Sequence, residues 1–199
     1  MRNLRKIGLL AFLLVVLFIA GCSTASAYNR QAAVQYAIDH TEPDANQPTN
    51  KQSEYNQAYH AFDSDCTNFI SQCLYYGGWK QVGRYNAWSS NSWYYVYYSW
   101  PSSLCFGYSR SWTSANDFYK FCTVHLERAQ SASLSSLEIG DIVQMDFTGD
   151  GKWDHSLIVT KKTGSNIYLS AHSNDLENEP LSAIKSRNPG ARYKGWHIK

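Results

Sequence analysis

Charge is scarce in this sequence: Lys, Arg, Asp and Glu together make up 17% of its 199 residues. That excludes a disordered polyelectrolyte. No apolar run reaches the roughly 20 residues needed to span a bilayer, which excludes a membrane helix bundle. No His/Cys spacing suits a zinc site, no glycine-rich phosphate loop appears, and there is no internal repeat or low-complexity tract. No metal or cofactor is therefore expected. The net charge is +2, but Arg2, Arg5 and Lys6 lie in the first 21 residues, which hold no acid; without these cations the balance is −1. A body so near neutrality argues against non-specific nucleic-acid binding. What is abundant is aromatic: 7 Trp, 15 Tyr and 8 Phe, 15% of the chain. A single domain of this length can bury a sizeable core and still present an aromatic surface.

The amino terminus reads as an export signal. Arg2, Arg5 and Lys6 precede an apolar run, Ile7–Ala20, of h-region length. The run ends in Ile19-Ala20-Gly21-Cys22, small residues before a cysteine, which resembles a bacterial lipobox. Residues 1–21 are thus expected to be a lipoprotein signal peptide and Cys22 the lipidated residue. Residues 22–28 follow as a tether and 29–199 as one domain, anchored to a bacterial membrane on its extracytoplasmic side. An uncleaved anchor helix and an ordinary signal cleaved after Ala25 or Ala27 are the alternatives.

Asn29 is placed to cap a helix over about 30–40, with Ala33, Val34, Ala37 and Ile38 on one face. Residues 41–53 hold two prolines and no large apolar residue, and read as a loop. A second helix is expected from Cys66 to Tyr76, stopped by Gly77-Gly78. A third, capped by Thr113 or Ser114, carries Phe118, Phe121, Cys122 and His125 on one stripe. Residues 79–112 divide between strand and loop without a clear period. Four strands follow, over 141–147, 155–160, 167–171 and 194–198, and only the gap 173–190 has room for a crossover helix. Helices first and an antiparallel sheet after them make an α+β architecture.

Cys66 opens the second helix, where free backbone N–H groups and the positive dipole end gather. Both favour a thiolate, and the same N–H groups suit a developing oxyanion. Cys66 also shares an apolar stripe with Phe69, Ile70, Cys73 and Leu74, the signature of a packing cysteine. Its partner decides between the two. His155 opens the apolar strand Ser156–Thr160, from which its ring can enter a cleft and serve as general base and acid. If 155–160 and 167–172 form a hairpin, His172 comes beside His155, with Asn174 two residues on. Either could orient His155 as a third catalytic member, His172 first and Asn174 in reserve. Ordinary hydrogen-bonded surface histidines are the plain alternative.

In order along the chain, several segments resemble one bacterial family. Asn29-Arg30 with Ala33, Val34, Tyr36 and Ala37 is similar to its opening helix. Asp65-Cys66-Thr67-Asn68-Phe69-Ile70-Ser71-Gln72-Cys73-Leu74, then Gly77-Gly78, is similar to its nucleophile segment. Ser111-Trp112 with Phe118 is similar to its middle segment. Gly140-Asp141-Ile142-Val143-Gln144, then Gly149-Asp150-Gly151-Lys152-Trp153-Asp154-His155-Ser156, is similar to its histidine segment. The family is the bacterial "putative amidase domain", a group of papain-like cysteine hydrolases related to CHAP and NlpC-type cell-wall peptidases, and the likeness spans about 28–176. It implies a papain-like fold with N-terminal helices packed on a C-terminal antiparallel sheet, Cys66 as nucleophile and His155 as base. NlpC-type enzymes use a second histidine, which points to His172. CHAP-type enzymes carry an acid and an asparagine two residues apart, positions that read His172 and Asn174 here.

Asp146, Thr148, Asp150, Gly151 and Asp154 resemble the start of a calcium loop, but Leu157 stands where the closing acid belongs. A tight turn explains the same residues. The eleven aromatics within 85–112 divide between core packing and a binding platform. Cys66 and Cys73, about 10 Å apart along one helix, cannot bridge, while Cys105 and Cys122 are either paired or free. The expectation is a monomeric, lipid-anchored extracytoplasmic cysteine amidase or peptidase. It would cleave an amide bond, in peptidoglycan or a peptide, through a Cys66 thioester. An acyltransferase, or an inactive binding or adhesion lipoprotein on the same scaffold, is the alternative.

Overall fold

Asn29 caps the first helix, its side-chain oxygen accepting the Ala32 N–H at 3.0 Å. In the computed structural model, which describes residues 27–41, 55–83, 86–96, 107–173 and 175–199, α1 spans Arg30–Asp39 and buries Ala33, Tyr36 and Ala37. These pack on α2, Cys66–Tyr76, in which every residue from Cys66 to Leu74 is buried. A helix buried all round must satisfy its polar side chains internally. Here Trp93 Nε1–H donates to Ser71 Oγ at 3.1 Å, Trp112 Nε1–H to Asn68 Oδ1 at 2.9 Å, and the Tyr36 hydroxyl to Gln72 Oε1 at 2.5 Å.

Between α2 and the next helices the chain is irregular, with isolated bridges Val82–Trp93 and Tyr95–Tyr108. Its aromatics split as the sequence suggests: Trp93 and Trp112 are fully buried, their rings 4.5 Å apart, while Trp88 is exposed. Two short helices follow, α3 (Arg110–Thr113) and α4 (Ala115–Val124). Ser114 caps the second, accepting the Asp117 N–H at 3.4 Å.

A six-stranded antiparallel sheet completes the α+β architecture. Its strands are β1 (Ala129–Ala132), β2 (Ile142–Asp146), β3 (His155–Thr163), β4 (Asn166–Ala171), β5 (Leu176–Pro180) and β6 (Arg192–Ile198), in the order β1-β6-β2-β3-β4-β5. Period-2 alternation divides the central strands between two cores. Ile142 and Ile158 join Phe69, Leu74, Trp93, Trp112 and Phe121 under the helices. Val143, Met145, Leu157, Val159 and Leu169 face the other way, against Leu137 and Ile184. Ile184 comes from α5 (Leu181–Arg187). The strands at 129–132 and 176–180 were not expected from the sequence, whereas α5 falls in 173–190, the gap with room for a helix.

The helical layer is tied to the sheet by one cation. Arg30 donates to Asp141 Oδ1 at 2.6 Å and to the carbonyls of Ile139 and Ile198. Asp141 is fully buried and also accepts the Ile198 and Glu138 N–H groups at 2.9 Å. The tie joins both ends of the domain to the start of β2 and so locates β2 and β3 under α2.

Candidate active site

Cys66 is the first residue of α2. The helix's first hydrogen bond, Phe69 N–H to Asp65 O at 2.9 Å, leaves the N–H groups of Cys66, Thr67 and Asn68 unused by the helix. The thiol is 4% exposed. Burial pushes its pKa up, but more is gained in the other direction. The His155 ring acts by charge and hydrogen bond, the Thr67 hydroxyl and the Ser156 backbone N–H add their own, and the thiol ends below its ordinary value. Thr67 Oγ1 lies 3.7 Å from Cys66 Sγ. Cys73 and Cys122 have no such neighbours, and burial holds both thiols well above the ordinary value.

His155 is delivered by the turn between β2 and β3. Asp146 accepts the N–H groups of Gly149 (2.7 Å) and Gly151 (2.9 Å), and Asp154 Oδ2 accepts that of Phe147 (2.9 Å). Gly149 and Gly151 have φ of +74° and +88°, the left-handed region that suits glycine. The turn's own backbone thus accounts for Asp146 and Asp154, the residues that resemble a calcium loop. It sets His155 opposite Met145 at the first position of β3, with the half-exposed Phe147 ring 5.9 Å from the imidazole.

His172 stands elsewhere than the sequence suggests. The hairpin of β3 and β4 is present, with Ile158 opposite Ser170. Counting on from that pair puts Ser156, not His155, opposite His172. A one-residue offset sends two strand side chains to opposite faces. Both ring nitrogens of His172 are taken: Nδ1 meets Asp65 Oδ2 at 2.7 Å and Nε2 meets the His40 carbonyl at 2.6 Å. The ring is 1% exposed and lies between Tyr55 (3.5 Å between centroids) and Phe69 (3.9 Å). The other Asp65 oxygen accepts the Phe62 N–H and the Asn68 side-chain amide, each at 2.9 Å. The structure joins His172 to the residue before Cys66, not to the His155 ring. Asn174, Cys22, Cys105 and the expected signal and loop at 42–53 lie outside the described residues.

Asp65 and Thr67 were missed as individuals, although both stand in the segment that carries Cys66. Ser156 and Gln144 were missed too. Their signal is a polar residue inside an otherwise apolar strand, which must be hydrogen-bonded if buried.

The model of the family described as "Putative amidase domain" matches residues 27–196. The chain belongs to this family. The family's description names action on amide bonds. Two similar proteins of Bacillus subtilis (strain 168) are described only as uncharacterized. YhbB is 34% identical over 180 residues, covering 87% of this chain and 51% of YhbB. YjcM is 28% identical over 178 residues, covering 86% of this chain and 37% of YjcM. The chain therefore spans about half or less of the length of these curated relatives. No solved structure matches it.

Proposed function

We propose that this amidase-family protein is a cysteine amidase or peptidase of papain-like fold that cleaves an amide bond through a Cys66 thioester. The observation that carries the reading is the Cys66 sulfur at the start of α2, its thiol drawn below the ordinary value by the neighbouring His155 ring against the effect of burial. Cys66 gives its proton to His155 and attacks the amide carbonyl. The unused N–H groups at the helix start receive the negative oxygen. The C–N bond breaks as His155 passes its proton to the leaving nitrogen, and the acyl group remains on sulfur. Water, deprotonated by His155, then attacks the thioester and frees a carboxylic acid and the thiol.

His172 has no ring nitrogen to spare, so the orienting role beside His155 is assigned to Asn174. The leader and Cys22 support a lipid-anchored, extracytoplasmic protein, and that location supports peptidoglycan as substrate. A digest of purified peptidoglycan, read by mass spectrometry, tests this. A new amine and carboxyl at one bond, absent with Cys66→Ser, is the expected result. Products joined to an added amine would mean acyl transfer. Binding of the glycan without cleavage would favour the adhesion-protein reading, for which the exposed Trp88 speaks.

A further inference from the structure

A buried chain of polar side chains runs from the sheet to the thiol, and its direction is fixed at the sheet end. Trp196 Nε1–H lies 2.9 Å from Gln144 Oε1, and an indole nitrogen only donates. Gln144 Nε2 lies 2.7 Å from the Ala115 carbonyl, which only accepts. The two contacts set the amide's orientation from both ends. The second Nε2 hydrogen therefore goes to Ser156 Oγ, 3.2 Å away. Ser156 accepts that bond and still has its own hydrogen to offer Thr67 Oγ1, 3.0 Å away, a contact in which either hydroxyl can donate. With Ser156 donating, Thr67 has its hydrogen for Cys66 Sγ, 3.7 Å away. Gln144, Ser156 and Thr67 are all fully buried, so water does not compete for these groups.

We propose that Trp196, Gln144, Ser156 and Thr67 form a one-way chain of hydrogen-bond donors that ends on the Cys66 sulfur and stabilises its thiolate. Thr67 is then a catalytic residue, since its hydroxyl touches the reacting atom, and Gln144 and Ser156 are positioning residues. The proposal rests on the reading of Cys66 as nucleophile. A thiol can turn its hydrogen toward a neighbouring acceptor, whereas a thiolate only accepts. A site in which the last hydroxyl has already received a hydrogen bond therefore prefers the thiolate. Each bond in such a chain polarises the next in a low-dielectric interior. The chain also explains a glutamine at the middle of β2, where apolar residues flank it on both sides.

The test is the rate of Cys66 alkylation by iodoacetamide against pH, read by peptide mapping in the full domain. Thr67→Val keeps the shape and removes the donor. It is expected to move the acid limb to higher pH by about half to one unit, slowing the reaction roughly 3- to 10-fold on that limb, with no change at alkaline pH where the thiolate is complete. Thr67→Ser should restore the wild-type limb, and Ser156→Ala should move it part of the way. A wild-type limb in folded Thr67→Val overturns the proposal, as does a Thr67→Ser limb displaced as far as that of Thr67→Val. Should Thr67→Val not fold, an unmoved limb in Ser156→Ala is decisive against it. The readout does not depend on turnover: if Cys66→Ser still hydrolyses substrate, the nucleophile reading fails while the alkylation limb still decides the donor chain.

Discussion

Removing the His172 imidazole should destabilise the domain more than it alters catalysis. The Asp65–His172 pair is 2.7 Å long and each partner is 1% exposed. Replacing His172 by Gln leaves Asp65 with the Phe62 N–H and the Asn68 amide but without the imidazole it meets at 2.7 Å. Breaking such a buried pair from one side costs about 3–5 kcal/mol, because the remaining charge is stranded out of water. Loss of the ring stack on Tyr55 and Phe69 adds about 1 kcal/mol. For a domain of this size each kcal/mol moves the midpoint by about 2–4 °C, so a drop of roughly 10 °C or more is expected. Asp65→Asn should fall by a similar amount. The double variant should lose much less than the sum, because no unpaired charge remains. The assay is thermal and urea unfolding of the single and double variants, with turnover measured only where they are folded. The reasoning fails if His172→Gln keeps its stability within about 1 kcal/mol while turnover drops by orders of magnitude. His172 would then orient His155 after all.

Three further outcomes follow from the same geometry. Iodoacetamide should modify Cys66 first, with Cys73 and Cys122 unreactive until the domain unfolds, since their thiols are buried and shifted upward. The folded Cys66 thiol lies below its unfolded value of about 8.5, so its acid limb should fall below that pH. The stability it contributes should be present above the unfolded value and fade as pH falls through the folded one; peptide mapping and pH-dependent unfolding check the two parts. Asn174→Ala should lower turnover by one to several orders of magnitude with little loss of stability, as expected when a catalytic histidine loses its orienting partner; activity equal to wild type would remove Asn174 from the site. Cys22→Ser should abolish incorporation of a palmitate analogue and release the protein from the membrane, and equal labelling of the variant would dismiss the lipobox.

Local pattern determined much of this protein. Asn29 and Ser114 cap the helices they precede, Cys66 opens α2, and His155 opens β3, because caps, apolar periodicity and turn glycines act over a few residues. Strands with apolar alternation were legible for the same reason. β1 was not: Ala-Gln-Ser-Ala has a single buried residue and is a strand only because β6 pairs with it, Ala129 opposite Ile198. β5, Leu-Glu-Asn-Glu-Pro, is an edge strand that exists through β4, and α5 buries only Ile184. The meeting of Cys66 with His155 was expected from chemistry and from the family likeness, but their contact comes from packing α2 across β3. Only tertiary structure decided the place of His172. The hairpin was legible, yet its register, with Ile158 opposite Ser170, puts Ser156 opposite His172, and the arrival of Asp65 from the start of α2 at 2.7 Å is a contact 107 residues apart in sequence. Gln144 teaches the same. Its identity is plain in the sequence, but which way its amide points is set by Trp196 and Ala115, residues that share no local pattern with it and meet it only in the folded core.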